Sequence, residues 1–152
     1  MTTTVQNPAS LTGYVGQDLG TSGWLEVPQA DINLFAQATH DHQWIHTDPE
    51  RARSGPFGGP IAHGYLTLSL LIPLWSQILV ISELGMAVNY GLNKVRFPSP
   101  VPAGSRVRLT ASLASVEELA GGGVQAVVDA VMEREGSGKP VCVAQMVHRY
   151  YP

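Results

Sequence analysis

A long uncharged and mostly apolar segment limits the possible folds of this chain more than any other feature. The run IAHGYLTLSLLIPLWSQILVI occupies positions 61–81, and no Asp, Glu, Lys or Arg occurs between Ser54 and Ser82. Its length is compatible with a transmembrane helix. However, polar residues are spread through it, Pro73 lies in its middle, and no flanking positive charges set an orientation. The segment therefore predicts one long helix, buried on most sides of a folded domain and kinked at Pro73.

The rest of the chain predicts helices before this segment and strands after it. Pro28 opens a predicted helix over 28–39, and Asp48 followed by Pro49 is typical of the start of a short helix. Four later segments alternate apolar and polar residues between Pro- and Gly-rich turns, which predicts four successive antiparallel strands in a meander. These segments are 85–100, 105–117, 122–135 and 140–151.

This order of elements favours an α+β fold in which the long apolar helix packs on an antiparallel sheet. A length of 152 residues fits a single domain spanning 1–152. Only 14% of the residues are charged, so we expect some surface to be covered by a second copy of the chain.

Charge and cysteine content exclude several classes of protein. The net charge is −3 and no run of Lys or Arg occurs, which disfavours binding to nucleic acid or to an anionic membrane. Cys142 is the single cysteine, so no intrachain disulfide forms, and a reducing compartment fits. The first residues lack the pattern of a secretory signal. We therefore expect a cytoplasmic protein.

The stretch THDHQWIHTDP, at 39–49, concentrates residues that bind metals or transfer protons. His42 and His46 are four positions apart and, with His40 and Asp41 nearby, form a weak zinc pattern that lacks a defined ligand set. Alternatively, Asp41 and His46 could act together on a water molecule, provided that the chain turns between them. The structural alternative is that Asp41 caps a turn and His46 is a packed side chain. Spacing alone leaves all three interpretations open.

Gly64 opens the predicted apolar helix. Unpaired N–H groups and the positive end of the helix dipole at such a position bind an oxyanion such as a polarised thioester carbonyl. Two structural alternatives remain: Gly64 permits a close approach of the backbone, and His63 is a loop residue that faces solvent.

Two stretches resemble the MaoC-like dehydratases, also called R-specific enoyl-CoA hydratases, over almost the whole chain. They are FAQATHDHQWIHTDPERARSGPFGGPIAHGYLTLSLL and NYGLNKVRFPSPVPAGSRVRL, and the likeness is strongest to the small single-domain 3-hydroxyacyl-thioester dehydratases. The family pattern has an aromatic residue before Asp-x-Asn-Pro-aliphatic-His, and later a Pro-aliphatic-x-His-Gly segment. The matching positions are Phe35, Asp41, Ile45 and His46 in the first segment, and Pro60, Ile61, His63 and Gly64 in the second.

The resemblance implies a hot-dog fold, an antiparallel sheet wrapped around a long central helix, and a homodimer. It also implies a lyase that reversibly hydrates trans-2-enoyl-CoA to (R)-3-hydroxyacyl-CoA. Asp41 and His46 would be the catalytic residues and act on the water, while Gly64 and His63 would bind the substrate, with the thioester carbonyl on the Gly64 N–H. No metal and no redox cofactor are expected, and the CoA thioester is the substrate.

The match to the family pattern is incomplete. Gln43 and Trp44 replace Asn and Pro, and His40 replaces Gly, so the backbone at His40 must accept a side chain. Two other functions therefore remain: a hot-dog acyl-CoA thioesterase and a non-catalytic acyl-CoA-binding protein. The paired Asp41 and His46 argue against the thioesterase, because such enzymes usually place a lone carboxylate elsewhere on the fold.

Overall fold

The computed structural model describes residues 2–152, which form eight strands and five α-helices. Two short 3-10 turns, Pro8–Tyr14 and Ala120–Gly122, add to them. The strands are β1 Thr3–Val5, β2 Asp18–Thr21, β3 Leu25–Val27, β4 Leu79–Ile81, β5 Met86–Arg96, β6 Ser105–Glu118, β7 Val124–Arg134 and β8 Pro140–Tyr151. The helices are α1 Gln29–Thr39, α2 Trp44–Thr47, α3 Pro49–Arg53, α4 Gly64–Ser69 and α5 Leu71–Ile78.

The main sheet is antiparallel, and its order differs from the predicted meander. Strands β6, β7 and β8 are successive neighbours, as predicted. Strand β5 pairs with β8 and not with β6, so the prediction of a four-strand meander is wrong at this strand. The reason is that β2 and β3 pair with the other side of β6, which leaves β8 as the free neighbour for β5.

The inner face of this sheet packs on α5 and forms the core. Every second residue of β7 points inward, and Val124, Val128 and Met132 have no exposed surface. On the helix side, Leu74 and Ile78 are equally buried. The predicted α+β arrangement of a helix packed on an antiparallel sheet is therefore confirmed.

The apolar run at 61–81 is not one continuous helix. It forms α4, α5 and then β4, which pairs in parallel with β1. Pro73 has no N–H to donate to the carbonyl four residues earlier, at Ser69, and α4 ends at Ser69. The chain resumes its helix at Leu71, so Pro73 lies in the first turn of α5, where a missing N–H costs little. In place of the predicted kink at Pro73, the helix breaks at Leu70.

Within residues 2–152, no helix has the length and apolarity required to cross a membrane.

Candidate active site

The chain reverses sharply between α1 and α2, where Asp41 and His46 lie. His40 follows the last residue of α1 and adopts a left-handed conformation, with φ 65° and ψ 17°. This conformation, which glycine adopts most readily, ends the helix and turns the chain. The backbone at His40 thus accepts a side chain where the family pattern has glycine. The turn that the Asp41 and His46 pair requires is present.

His46 is fixed by two hydrogen bonds, one from its ring and one to its backbone carbonyl. Its side chain is buried, and its Nδ1 lies 2.7 Å from the carbonyl oxygen of Ile61. Because a carbonyl oxygen only accepts, Nδ1 carries the proton, and the neutral ring keeps its free electron pair on Nε2. The side-chain amide of Gln29 donates to the carbonyl oxygen of His46 at 2.7 Å. His46 therefore presents Nε2 as a base in a fixed orientation.

His63 contacts both members of the predicted pair. It is 2% exposed, so the alternative that it is a loop residue facing solvent is wrong. Its Nε2 donates to the backbone carbonyl of Asp41 at 2.9 Å, and its ring stacks on that of His46 with centroids 3.9 Å apart. Phe35 packs against the same ring, with centroids 4.8 Å apart. Sequence reasoning did not foresee these contacts, which join positions more than fifteen residues apart.

Asp41 lies at the open side of this cluster. Its side chain is exposed, and Oδ1 accepts from the N–H of Gln43 at 3.4 Å. One ring nitrogen or carboxylate oxygen from each of Asp41, His46 and His63 lies within 4.8 Å of the other two. The Asp41 carboxylate and a ring nitrogen of His46 are therefore close enough for one water molecule to contact both. The capping contact to Gln43 shows that the turn-capping role coexists with this convergence.

The same spacing would also suit a metal ion, although the residues differ from those in the zinc pattern. The three converging groups include His63 in place of His42 and His40, whose side chains are exposed. The rings of His46 and His63 are stacked with only 24° between their planes. Electron pairs on ring nitrogens lie in the ring plane, so in two stacked rings they lie in nearly parallel planes and do not converge well on one tetrahedral centre. This geometry favours proton transfer over metal binding.

The surroundings of His46 keep its ring neutral at pH 7. Burial is the largest effect and lowers the pKa of His46 below 6.5. The bond to the Ile61 carbonyl raises this pKa, the charge of His63 lowers it, and the carboxylate of Asp41 raises it. Burial thus outweighs the two raising effects, and the neutral ring is the favoured form.

Gly64 begins α4 directly after His63. A Cβ atom at Gly64 would lie 3.2 Å from the ring of Phe97, so a side chain here would displace that ring. A cavity of about 330 Å³ adjoins this position and is lined by Gly64, Thr67 and Phe97 among others. The first N–H groups of a helix have no acceptor within the helix. The Gly64 N–H is therefore available to an oxygen in this cavity.

Trp44 is packed locally. The guanidinium of Arg51 lies 4.5 Å from the centroid of the Trp44 ring. A Cβ at Gly55 would lie 2.9 Å from the same ring, so glycine is needed there. Asp48 caps α3 by accepting from the Arg51 N–H at 3.0 Å, as predicted. Trp44 is thus held by contacts with Arg51 and Gly55, and Asp41 and His46 converge with Trp44 present.

The sequence matches one family model and several known proteins over most of its length. Residues 10–134 match the model of the MaoC like domain. The chain is 54% identical to the 3-hydroxyacyl-thioester dehydratase Z of Mycobacterium tuberculosis, over 97% of both chains. It is 45% identical to nodulation protein N of Rhizobium leguminosarum bv. viciae, over 91% of this chain and 88% of that one. Among solved structures, the (R)-hydratase from A. caviae involved in PHA biosynthesis superposes with a TM-score of 0.72 at 25% identity, over 91% of this chain and 96% of that one.

Proposed function

The chain belongs to the family of MaoC-like dehydratase domains with the hot-dog fold, and from that premise we propose that it reversibly hydrates trans-2-enoyl-CoA to (R)-3-hydroxyacyl-CoA. A relative of nearly equal length that is 54% identical is a 3-hydroxyacyl-thioester dehydratase, which supports the same reaction in the dehydration direction. The enzyme is therefore a carbon–oxygen lyase, with an enoyl thioester as its substrate.

The convergence of Asp41 and His46 carries this proposal. Nε2 of His46 holds the free electron pair of the neutral ring, because Nδ1 donates to Ile61. A water molecule between this nitrogen and the Asp41 carboxylate would lose one proton as its oxygen attacks C3. A proton is delivered to C2 on the same face, which gives the (R)-3-hydroxy product. The pair takes up one proton from water and gives one proton to C2, so it ends the reaction with as many protons as it had at the start.

We assign the backbone N–H of Gly64 to the thioester carbonyl. An N–H donor at this oxygen stabilises the enolate-like charge that develops as water adds to C3. The adjoining cavity of about 330 Å³ supplies the space for the thioester. His63 is the neighbouring residue and holds the Asp41 backbone, so it sets the distance between the water site and the oxyanion site. A binding contact of His63 with the substrate stays a prediction.

Hydration of a double bond changes no net oxidation state, so it needs no redox cofactor, and in the proposed mechanism Asp41 and His46, not a metal ion, activate the water. Removal of divalent metals with a chelator is therefore expected to leave the rate of enoyl-CoA hydration unchanged. A loss of activity that zinc restores would instead support the metal interpretation of the Asp41, His46 and His63 cluster.

We propose that the active form is a homodimer that pairs through β5. This strand lies at the edge of the main sheet, and its backbone can accept another strand. Met86, Tyr90 and Leu92 on this strand are 43% to 56% exposed, which is unusual for large apolar side chains at a free surface. A cytoplasmic location, where CoA thioesters are available, stays part of the proposal.

The first experiment measures hydration of crotonyl-CoA by the purified protein and by Asp41→Asn, with the product configuration assigned. Formation of the (R)-3-hydroxy product by the wild type and its collapse in Asp41→Asn would support both the reaction and the acid–base pair. His42→Asn is the matched control, because His42 lies one residue away but is exposed and outside the cluster.

Other outcomes separate the remaining functions. If the wild type releases free CoA and leaves the double bond intact, the protein is a thioesterase. If neither reaction occurs but a saturated acyl-CoA raises the melting temperature, the protein is a non-catalytic binder.

A further inference from the structure

A groove runs along the helices on the side that faces β5 and β8. Two adjoining cavities of about 210 and 120 Å³ make up this groove. They share Ile72 of α5, Asn89 of β5 and His148 of β8. Most of the remaining lining is apolar, and includes Leu68, Leu71, Leu92, Met146, Trp75, Leu79 and Ile81. The other polar side chains of the lining, Ser69, Ser76 and Tyr150, are hydrogen-bonded within the protein, which leaves Asn89 and His148 as the polar groups shared by both cavities.

His148 is buried without a hydrogen-bond partner for Nε2 among residues 2–152. It is only 4% exposed, and its ring lies parallel to that of Trp75, at 6.4 Å between centroids. Its polar neighbours are paired, because Trp75 Nε1 donates to the hydroxyl of Tyr150 at 2.8 Å. A buried polar atom without a partner destabilises the fold, so such atoms usually have a ligand or a role.

Asn89 stands directly opposite His148. The two residues are register partners in the β5 and β8 pair. The Asn89 amide offers both a donor and an acceptor to a group in the groove. The Asn89 side chain and the His148 ring line both cavities, so an uncharged oxygen atom in the groove would lie beside an amide and an imidazole that can hydrogen-bond.

We propose that Asn89 and His148 form a subsite for an uncharged oxygen substituent on the acyl chain, a hydroxyl or keto group far from the thioester. This inference rests on the proposed function, because it takes the groove as the path of the acyl chain. The preferred substrates are then oxygen-bearing enoyl thioesters of medium length, not plain hydrocarbon chains.

The charge state of His148 favours an uncharged partner. Burial lowers the pKa of His148 to about 4, so the ring is neutral at pH 7. A neutral imidazole donates or accepts a hydrogen bond but does not neutralise a carboxylate. A chain that ends in a carboxylate would therefore leave its charge buried, which is costly.

The position of the subsite sets the position of the oxygen. Gly64 and Ile72 are eight residues apart, which is at most about 12 Å at 1.5 Å per residue because the helix breaks at Leu70 between them. An extended chain advances about 1.2 Å per bond, so this distance corresponds to roughly ten bonds. An oxygen on about the tenth carbon of the acyl chain would reach Asn89 and His148 when the thioester lies at Gly64.

The test compares 10-hydroxy-trans-2-decenoyl-CoA with trans-2-undecenoyl-CoA. Their chains have the same number of non-hydrogen atoms and differ only by a terminal hydroxyl in place of a methyl group. We expect the wild type to show up to about a tenfold higher kcat/KM for the hydroxylated substrate, the value of about one hydrogen bond. His148→Phe and Asn89→Leu remove the polar groups and should abolish or reverse this preference. Asn93→Leu is the matched control on β5, because Asn93 does not line the groove and should leave the preference unchanged.

Each result supports or overturns the subsite. Equal rates on both substrates in the wild type, or a preference that both variants retain, would overturn it. Asn89 lies on an exposed edge strand, so Asn89→Leu provides the answer even if His148→Phe fails to fold. Crotonyl-CoA ends before the subsite, so its hydration by the wild type tests the proposed function separately.

Discussion

His46 and His148 are both buried imidazoles, yet their surroundings give them different chemistry. His46 donates Nδ1 to a backbone carbonyl and lies close to the Asp41 carboxylate, and both of these groups raise its pKa against the effect of burial. His148 has no such support: burial alone lowers its pKa to about 4. Burial lowers the pKa of both histidines, but only at His46 do a nearby carbonyl and carboxylate oppose that effect. In the proposed functions, the helical half of the molecule supplies the acid–base pair and the sheet half supplies a neutral recognition group.

Removal of the His46 ring should give the largest effect and test this division directly. His46→Gln is expected to lower kcat for enoyl-CoA hydration by about 10²–10⁴-fold, because the base that takes the proton of water is lost. The measurement is the steady-state rate on crotonyl-CoA at pH 7, with thermal unfolding as the folding control. A rate within a few-fold of the wild type would remove His46 from the acid–base pair.

The neutral state of His148 predicts a pH dependence of stability. Unfolded His148 has a pKa near 6.5 and folded His148 a pKa of about 4, so the unfolded state binds more protons between these values. The contribution is zero above pH 6.5, and it lowers the free energy of unfolding by about 3 kcal/mol as the pH falls to 4. Denaturant unfolding of the wild type and His148→Phe at pH 7 and pH 4.5 checks this. An equal loss of stability in both proteins would contradict it.

Replacement of His63 tests whether the hydration rate depends on the hydrogen bond that holds the Asp41 backbone. His63→Phe keeps a ring against His46 but removes the donor to the Asp41 carbonyl. We expect kcat to fall by up to about 10²-fold with KM changing less, because displacement of a catalytic group by about 1 Å costs that much. His63→Gln, which retains an N–H donor, should restore part of the rate. Equal activity of both variants would show that the hydrogen bond has no positioning role.

The smallest predicted effect concerns the turn that joins the catalytic loop to α1. His40 is a non-glycine residue with φ 65°, a conformation that costs most side chains about 1 kcal/mol relative to glycine. His40→Gly is therefore expected to raise the free energy of unfolding by up to about 1 kcal/mol. The rate of hydration should remain near the wild-type value, because the side chain is exposed. Chemical denaturation of both proteins measures the difference, and destabilisation by glycine would show that the His40 side chain makes a favourable contact.

Local features could be predicted because their causes lie within a few residues. The capping bond from Asp48 to Arg51 spans three positions, and α1 begins beside Pro28 as the sequence indicates. The alternation in 122–135 predicted a strand with one buried face, and β7 has that face. Asp41 and His46 could be chosen in advance because both lie in one short motif, although the sequence left a metal site and a structural role open.

The tertiary structure alone decided the features that depend on contacts between distant parts of the chain. The sequence by itself pointed to Asp41 and His46 as candidates for acid–base chemistry and to most of the helical and extended segments, because side-chain type and local hydrogen bonding set both. The place of β5 beside β8 depended on the occupation of β6 by β2 and β3. The bond from His63 to Asp41 spans twenty-two positions, and the burial of His148 against Trp75 requires the sheet to close over α5. Such contacts follow from which surfaces remain free once the core has formed, and no short stretch of sequence contains that information.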